Sequence, residues 1–204
     1  MTRTAQAFHS LASARQSIRH FEDRPVPTEL IQRLLATACQ APSAHNRQPW
    51  RFVVLADRER RAGLVRAMSA KFRADLEADG LPPETIDRLV ERGRRRLLDP
   101  PLAILLCMTT EEMDEYPDES RGAAERIMAV QSAALAGGHL LLAAQAEGLG
   151  GCWVCAPLFA PEVVRLELAL PAAWMAQAVL VIGYPAEAGR QRSRRLVKDV
   201  TLWR

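Results

Sequence analysis

The sequence predicts one domain that combines several helices with a small number of buried strands. Two continuous apolar runs, at 102–108 and 178–182, have the length of strands and lie beside prolines or a glycine that bound them. We therefore expect strands that are covered on both faces. Longer helical patterns separate these runs along the chain. The chain has 204 residues, 49% hydrophobic and 25% charged, which is enough for a sizeable core and typical of a globular protein.

The N-terminal part predicts two helices, each leading into a polar segment. The first helix is expected over about 5–17 and closes on Arg15–Arg19, where two arginines and a hydroxyl stand close together, a combination that suits an anionic group. The second helix is expected from an N-cap at Thr28 to about Gln40. Its apolar residues recur on one face, which should pack inward: Leu30, Ile31, Leu34, Leu35 and Ala38.

The middle of the chain predicts a strand followed by a helical excursion. The strand is expected at 51–55, and the charged region 57–98 is expected to be helical, with a break at 79–83 where a glycine and two prolines occur. The buried strand at 102–108 follows. These patterns predict a helical layer that covers one side of the core.

The longest helical pattern, over 121–146, carries no charged side chain from residue 129 onward, as a membrane span would. Polar residues interrupt it, among them Gln131, Ser132 and His139, so we expect a core helix or a helix at a dimer interface instead. Gly148 should end this helix. A short strand at 152–156, a helix that opens at Pro161 and the strand at 178–182 complete the expected elements.

Charge and cysteine content limit the classes of function. The net charge is +3, and arginine supplies nearly all of the positive charge because Lys71 and Lys198 are the only lysines. Two arginine runs, at 92–96 and 190–195, fit either anion binding or a solvated surface. Neither contains the interleaved aromatic residues of a nucleic-acid site, so we expect no nucleic-acid partner.

The N-terminus lacks the apolar segment of a signal peptide, and we expect a cytoplasmic protein that does not bind membranes. Four cysteines are too few for a disulfide scaffold, which agrees with reduced thiols in that compartment. Cys152 and Cys155 have the spacing of a redox or zinc site, but they lie inside an apolar strand pattern and no second close pair exists. We expect no metal.

The segment Ala41–Trp50 joins the second helix to the first strand and concentrates polar side chains. It contains a hydroxyl, two carboxamides, an imidazole and an indole, with prolines near both ends that stiffen the backbone. Loops held between rigid elements often bind ligands. From this segment alone, a binding loop and a polar turn capped by a core tryptophan remain open.

Protein-based catalytic motifs are missing from the sequence. It has no GxSxG and no P-loop, its four histidines have no evident nucleophile partner, and Gly148–Gly151 departs from the dinucleotide fingerprint. The arginines and hydroxyl at 15–19, the amides at 43–48, the glycines at 148–151 and the arginines at 190–195 suit a cofactor with a phosphate and a polar ring. In that case the cofactor carries the chemistry.

Four motifs in order along the chain resemble those of the nitroreductase family of flavin enzymes. They are Arg15–Arg19, Ala41–Trp50, Glu147–Trp153 and Val181–Pro185. The resemblance implies an α+β fold with a mixed central sheet of four to five strands flanked by helices. It also implies an intertwined homodimer with FMN in two interface sites and a C-terminal extension that reaches the partner.

Site residues follow from the same resemblance. It implies that no side chain is catalytic, because hydride passes through flavin N5, and that NAD(P)H or a reduced deazaflavin donates electrons for a small-molecule acceptor. Carried over by position, the residues that would bind FMN are Arg15, Gln16, Ser17, Arg19, Pro42, Ser43, Asn46, Gln48, Gly148, Leu149, Gly150, Gly151, Arg192 and Arg194.

Segments in the middle of the chain resemble the C-terminal reductase domain of FbiB, which acts in the biosynthesis of a deazaflavin coenzyme. They include 72–82, Tyr116–Asp118 and 168–171. This likeness implies reduction of a dehydro precursor of that coenzyme, with Asp75 and Arg92 facing the substrate. A general NAD(P)H-dependent nitro or quinone reductase and a non-catalytic flavin or deazaflavin binding protein remain alternatives.

Overall fold

The computed structural model describes residues 1–189 and 192–204, which form six α-helices, four strands and three short 3-10 turns. The helices are α1 (Arg3–Ala14), α2 (Thr28–Ala38), α3 (Arg58–Ala78), α4 (Pro83–Leu98), α5 (Glu119–Ala146) and α6 (Pro161–Glu167). The strands are β1 (Trp50–Val54), β2 (Leu102–Met108), β3 (Gly150–Val154) and β4 (Met175–Gly183). The 3-10 turns are Ala44–Asn46, Ala156–Phe159 and Val197–Asp199.

The four strands form one sheet in the order β1-β2-β4-β3, flanked by helices as predicted. Every neighbouring pair is antiparallel, whereas a mixed sheet was expected. The parallel component in the described chain is a single isolated bridge between Ser17 and Gly151. At this bridge the N–H of Ile18 donates a hydrogen bond to the carbonyl of Gly151, at 3.0 Å.

The sheet is buried on both faces, which confirms the prediction from its apolar strands. Alternate residues of β2 point to opposite sides. Ala103 and Leu105 pack in a cluster with side chains of α3, α4 and α6, while Leu102 and Ile104 pack with α2 and α5. The molecule therefore has three layers, with the sheet in the middle.

Three boundaries differ from the sequence prediction, and those of α1 and β3 affect the site. The first helix ends at Ala14 rather than near residue 17, so Arg15–Arg19 is extended and lies against β3. Thr28 begins α2 instead of capping it, since Pro27 occupies the N-cap position without a side-chain hydrogen bond. The strand expected at 152–156 begins earlier, because Gly150 pairs with Gly183 of β4.

Helix α5 is long and apolar enough to cross a membrane when judged by length and composition alone. Its inner face instead packs on the sheet, with Ala133, Ala136 and Leu140 fully buried. Its outer face exposes Ile127, Val130 and Leu135. This helix therefore belongs to the core and also presents a second apolar face. The cytoplasmic location stays a prediction.

The two ends of the sheet carry different segments of interest. At the glycine end lie Leu102, Gly150 and Gly183, and at the tryptophan end lie Trp50, Met108 and Met175. The seven residues of β2 separate these ends by about 20 Å, at roughly 3.3 Å per residue. The segment Arg15–Arg19 and the tail after β4 lie at the glycine end, whereas the loop before β1 lies at the tryptophan end.

Candidate functional site

A cavity of about 480 Å³ opens at the glycine end of the sheet. The segment after α1 forms one wall and the tail after β4 forms the other. It brings together five of the residues that the sequence assigned to a phosphate-bearing cofactor: Gln16, Ser17, Arg19, Arg192 and Arg194. Ile18, His20, Glu187, Ala188 and Gly189 complete its lining. Arg190 and Gln191, the start of the second arginine run, lie outside the described residues.

Two glycines allow the walls of this cavity to approach each other. A Cβ atom at Gly150 would lie 2.5 Å from Cγ1 of Ile18, and one at Gly189 would lie 2.5 Å from Oε1 of Gln16. Real Cβ contacts are longer than this. The bare backbone at these positions therefore sets the width of the cavity and the position of Ser17 beside β3.

The cavity is positively charged. Arg19, Arg192 and Arg194 face a single carboxylate, that of Glu187, whose Oε1 lies 3.9 Å from Nε2 of His20. The guanidinium of Arg19 donates to the carbonyl of Ser17 at 3.4 Å, and the guanidinium of Arg194 donates to the carbonyl of Arg192 at 3.3 Å. Neither arginine pairs with a carboxylate in the described part of the chain. Their remaining donors suit a phosphate.

One buried polar atom in this cavity has no hydrogen-bond partner. Oε1 of Gln16 is shielded from solvent and unpaired within residues 1–189 and 192–204. A buried acceptor of this kind is costly to leave unpaired. Together with the hydroxyl of Ser17 and the three guanidinium groups, it fits a ligand that has a phosphate and a chain of hydroxyl donors.

The glycine run, Gly148–Gly151, contributes fewer groups to the candidate site than the sequence analysis predicted. Gly148 has a φ of +74° and ends α5, as predicted. Its N–H donates to the carbonyl of Gln145 at 3.2 Å, and the N–H of Leu149 donates to Ala144 at 2.8 Å. Both amides are therefore occupied by the end of the helix. Gly150 and Gly151 are buried in β3, where they pair with β4, and do not line the cavity. Arg15 follows α1 directly but does not line the cavity.

The loop Ala41–Trp50 is held in an unusual conformation at the tryptophan end. His45, Asn46 and Gln48 all have positive φ angles, between 48° and 55°. Such angles are unfavourable for residues with side chains, and they concentrate at binding sites. The hydroxyl of Ser43 accepts the N–H of Gln48 at 3.0 Å, and Pro42, Asn46 and Gln48 are exposed.

Neighbouring segments fix this loop in place. The hydroxyl of Ser132, buried on α5, accepts the N–H of Ala44 at 3.3 Å and donates to the carbonyl of Met128 at 2.7 Å. Ion pairs of Arg47 with Asp114 and of Arg51 with Glu112 link the loop to the turn after β2. Within one chain, the loop is thus at the opposite end of the sheet from the cavity, and the two predicted halves of the site do not meet.

Asp75 and Arg92, predicted to contact substrate, lie together in a groove of about 440 Å³ between α3 and α4. This α3–α4 groove is also lined by residues that the sequence analysis did not assign, among them Phe72, Arg96 and Phe159. The spacing of Arg92 and Arg96, one helical turn apart, was the available signal for Arg96. Phe159 reaches the groove only through the tertiary structure, so the sequence contained no signal for it.

The cysteines form no disulfide or metal site in the described chain. Cys152 is buried, whereas Cys155 is exposed and its sulfur accepts the indole N–H of Trp153 at 3.1 Å. Cys107 is buried within β2, and burial raises its pKa to about 12.

Comparisons with known proteins agree with this geometry. Residues 12–184 match the family model described as the nitroreductase family. The chain is 35% identical over 177 residues to a 5,6-dimethylbenzimidazole synthase of Rhodospirillum rubrum, covering 85% of this chain and 79% of that protein. It is 32% identical over 206 residues to an NADH dehydrogenase of Thermus thermophilus, covering 95% and 94%.

A solved structure from Desulfovibrio desulfuricans, determined in complex with FMN, has the same fold. Its TM-score is 0.73 at 26% sequence identity, and the match covers 100% of this chain and 98% of that one. The similarity therefore extends over the whole chain, including the tail that lines the cavity.

Proposed function

The chain belongs to the nitroreductase family, and from this premise we propose that it is an FMN-dependent oxidoreductase whose sites form between two copies of the chain. The positively charged cavity at the glycine end carries the proposal. It combines guanidinium groups, a hydroxyl and an unpaired buried carbonyl oxygen, which are the groups that a phosphate and a ribityl chain require.

The residues of this chain bind and orient the cofactor rather than react. Arg19, Arg192 and Arg194 would hold the phosphate, and Ser17 and Gln16 would bond to the ribityl hydroxyls. Arg15 would add positive charge from outside the cavity lining. Bound FMN supplies hydride transfer through its N5 atom. Gly150 and Gly151 would act indirectly, since Ile18 and Leu141 occupy the space that a Cβ would fill at each position, and this packing sets Ser17 beside β3.

The loop at the tryptophan end completes the site of a second copy. Pro42, Ser43, Asn46 and Gln48 lie about 20 Å from the cavity of their own chain, by the length of β2. The exposed carboxamides of Asn46 and Gln48 would therefore reach a flavin only when a partner supplies it. The outer face of α5 and the tail, with Leu196, Val200 and Trp203 exposed, offer apolar surface for the homodimer.

Cofactor binding is tested by titrating the purified protein with FMN and following the flavin absorbance and fluorescence. The double variant R19A/R192A should bind FMN at least tenfold more weakly, because a phosphate loses two charge-assisted partners. R94A is the matched control, since Arg94 is exposed on α4 and pairs with Glu91. A colourless wild-type protein that takes up no FMN at saturation would refute the proposal.

The proposal also includes candidates for the electron donor and the electron acceptor. The likeness to an NADH dehydrogenase supports NAD(P)H as the donor, with nitro compounds or quinones as acceptors. The position of Asp75 and Arg92 in one groove supports an acidic acceptor, such as a dehydro precursor of a deazaflavin coenzyme. For that substrate a reduced deazaflavin is a second candidate donor.

Steady-state assays separate these choices. Robust NAD(P)H oxidation with nitroaromatics and no binding of the deazaflavin favours the general reductase. Tight deazaflavin binding that D75A or R92A weakens favours the specific one. If reduced flavin on the enzyme reoxidises no faster with any organic acceptor than with oxygen alone, the protein is a flavin carrier and not a reductase.

A further inference from the structure

The α3–α4 groove has an apolar floor and an aromatic mouth. Buried side chains from both helices and from β3 form the floor: Val65, Met68, Leu76, Val90, Leu97 and Val154. Phe72 and Phe159 stand at the mouth and are 39% and 75% exposed. Exposed aromatic side chains beside a concave apolar surface are typical of a small-molecule site. A flat apolar ligand would cover surface that water now contacts.

The charges around this groove do not cancel. Lys71 pairs with Asp75 one turn along α3. Arg92 and Arg96 also line the groove, but neither forms an ion pair within the described chain. Arg94 and Arg95, on the remainder of the same helix, do pair with Glu91. The groove wall formed by α4 therefore presents two guanidinium groups that have no carboxylate, set against the lone carboxylate of Asp79 on the α3 side.

Gly93 keeps this wall open. It lies inside α4, where glycine is less favourable than alanine by roughly 1 kcal/mol. A Cβ atom built there would meet no atom within 4 Å, and the residue lines the groove between the two unpaired arginines. The missing side chain leaves free volume beside both guanidinium groups.

We propose that the α3–α4 groove binds an aromatic carboxylate, with its ring on the apolar floor and its carboxylate at Arg92 and Arg96. A guanidinium group recognises a carboxylate through two parallel N–H donors, and two such groups one turn apart can share one anion. The volume of about 440 Å³ is that of a small-ligand pocket. Only the role of this ligand as the acceptor rests on the proposed flavin chemistry.

Calorimetric titration of the FMN-saturated protein with naphthoate tests the proposal. We expect saturable binding with one ligand per chain. R92A and R96A should each weaken it by about tenfold to a hundredfold, since each removes a charge-assisted hydrogen bond. Naphthalenemethanol, which keeps the ring but has no charge, should bind at least tenfold more weakly than naphthoate.

The variant G93L fills the groove without disturbing the helix. Leucine favours helix more than glycine does, so the protein should melt at the same or a higher temperature and yet lose naphthoate binding. G122L is the control, because Gly122 lies in α5, away from the groove, and a Cβ there also meets nothing within 4 Å. R94A is a second control, because Arg94 is outside the groove lining. Both should bind naphthoate like the wild type.

Three results would overturn the proposal. The first is naphthoate binding that R96A and G93L leave unchanged. The second is tighter binding of naphthylmethylammonium than of naphthoate, since Asp75 and Asp79 would then dominate. The third is no binding at all, as when a partner subunit covers the groove. A protein that takes up FMN but no naphthoate contradicts this inference alone, whereas one that binds naphthoate but no FMN contradicts the proposed function alone.

Discussion

At the scale of single residues, the contact between Gly150 and Ile18 controls the geometry of the cavity. Ile18 is buried, and its N–H bonds to the carbonyl of Gly151. This contact holds Ser17 and Arg19 where the tail arginines can meet them. The width of the proposed phosphate site thus depends on a missing methyl group more than on any charged residue.

G150A should therefore weaken FMN binding and destabilise the fold. The added Cβ would lie 2.5 Å from Cγ1 and 2.7 Å from Cβ of Ile18, and overpacking of this kind costs about 1–3 kcal/mol. Thermal melting and FMN titration measure the two effects. G122A, whose Cβ meets open space, should bind FMN normally. Unchanged FMN affinity in G150A would show that Ser17 does not depend on this contact.

The thiols should differ in reactivity because they differ in burial. Burial raises the pKa of Cys107 to about 12, so its thiolate is essentially absent at pH 8 and becomes populated only as the pH approaches that value. Iodoacetamide at pH 8 should label the exposed Cys39 and Cys155 and leave Cys107 and Cys152 unmodified until the protein unfolds. Peptide mass spectrometry checks this. Labelling of Cys107 at the rate of Cys39 would contradict the burial of β2.

At the scale of elements, α5 links the sheet to the loop at the other end. Ser132 holds the loop at Ala44, and Asp118 caps the N-terminus of the helix by accepting the N–H of Arg121 at 3.0 Å. That backbone hydrogen bond, with the guanidinium of Arg121, lowers the pKa of Asp118. A carboxyl whose pKa is lowered on folding stabilises the protein above its unfolded pKa and loses that contribution as the pH falls through the folded pKa.

D118N should be less stable than the wild type at pH 7. The difference in stability between the two proteins should be smaller at pH 3, below the usual carboxyl pKa of 3.8. Thermal melts at the two pH values give the comparison. D23N, which alters an exposed carboxylate outside any helix, is the control and should follow the wild type at both. An equal loss of stability at both pH values would mean that charge at the helix terminus is unimportant.

Elements with a strong apolar pattern were predictable from sequence, and segments held by distant contacts were not. Residues 102–108 were predicted as a strand and form β2, because every residue of that run is buried. The end of α1 was misplaced, since Ile18 bonds to β3, a partner that is distant in sequence. For the same reason, no local pattern predicted that Arg19 and Arg192 would line one cavity. That prediction came from the family resemblance.

At the scale of the whole molecule, the apolar side chains of the tail are largely exposed on a single chain. Leu196, Val197, Val200, Leu202 and Trp203 are between 58% and 87% exposed. Patches of this size on one chain usually mark an interface. With the outer face of α5, they account for the proposed homodimer.

A chain that stops after Arg195 should form a weaker dimer, because it loses these apolar side chains while keeping Arg192 and Arg194. Sedimentation at micromolar concentration should show monomer where the full chain is dimeric, and FMN binding should fall with the dimer. The full-length variant R192A/R194A is the counterpart, since it should stay dimeric and lose FMN. A truncated chain that remains fully dimeric would assign the interface to α5 alone.

Because the loop and the cavity lie at opposite ends of one sheet, the proposed homodimer implies that neither copy contains a complete site. Two inactive variants should then complement each other. A chain with S43A/N46A/Q48A and a chain with R19A/R192A each form defective dimers, but in a mixed dimer one site receives an intact cavity from the first and an intact loop from the second. If the chains assort at random, half of the dimers are mixed and about a quarter of the wild-type sites are restored. Co-expression of the two genes would reveal this intragenic complementation as partial recovery of activity. Two defective copies of an enzyme whose site lies within one chain could not restore each other.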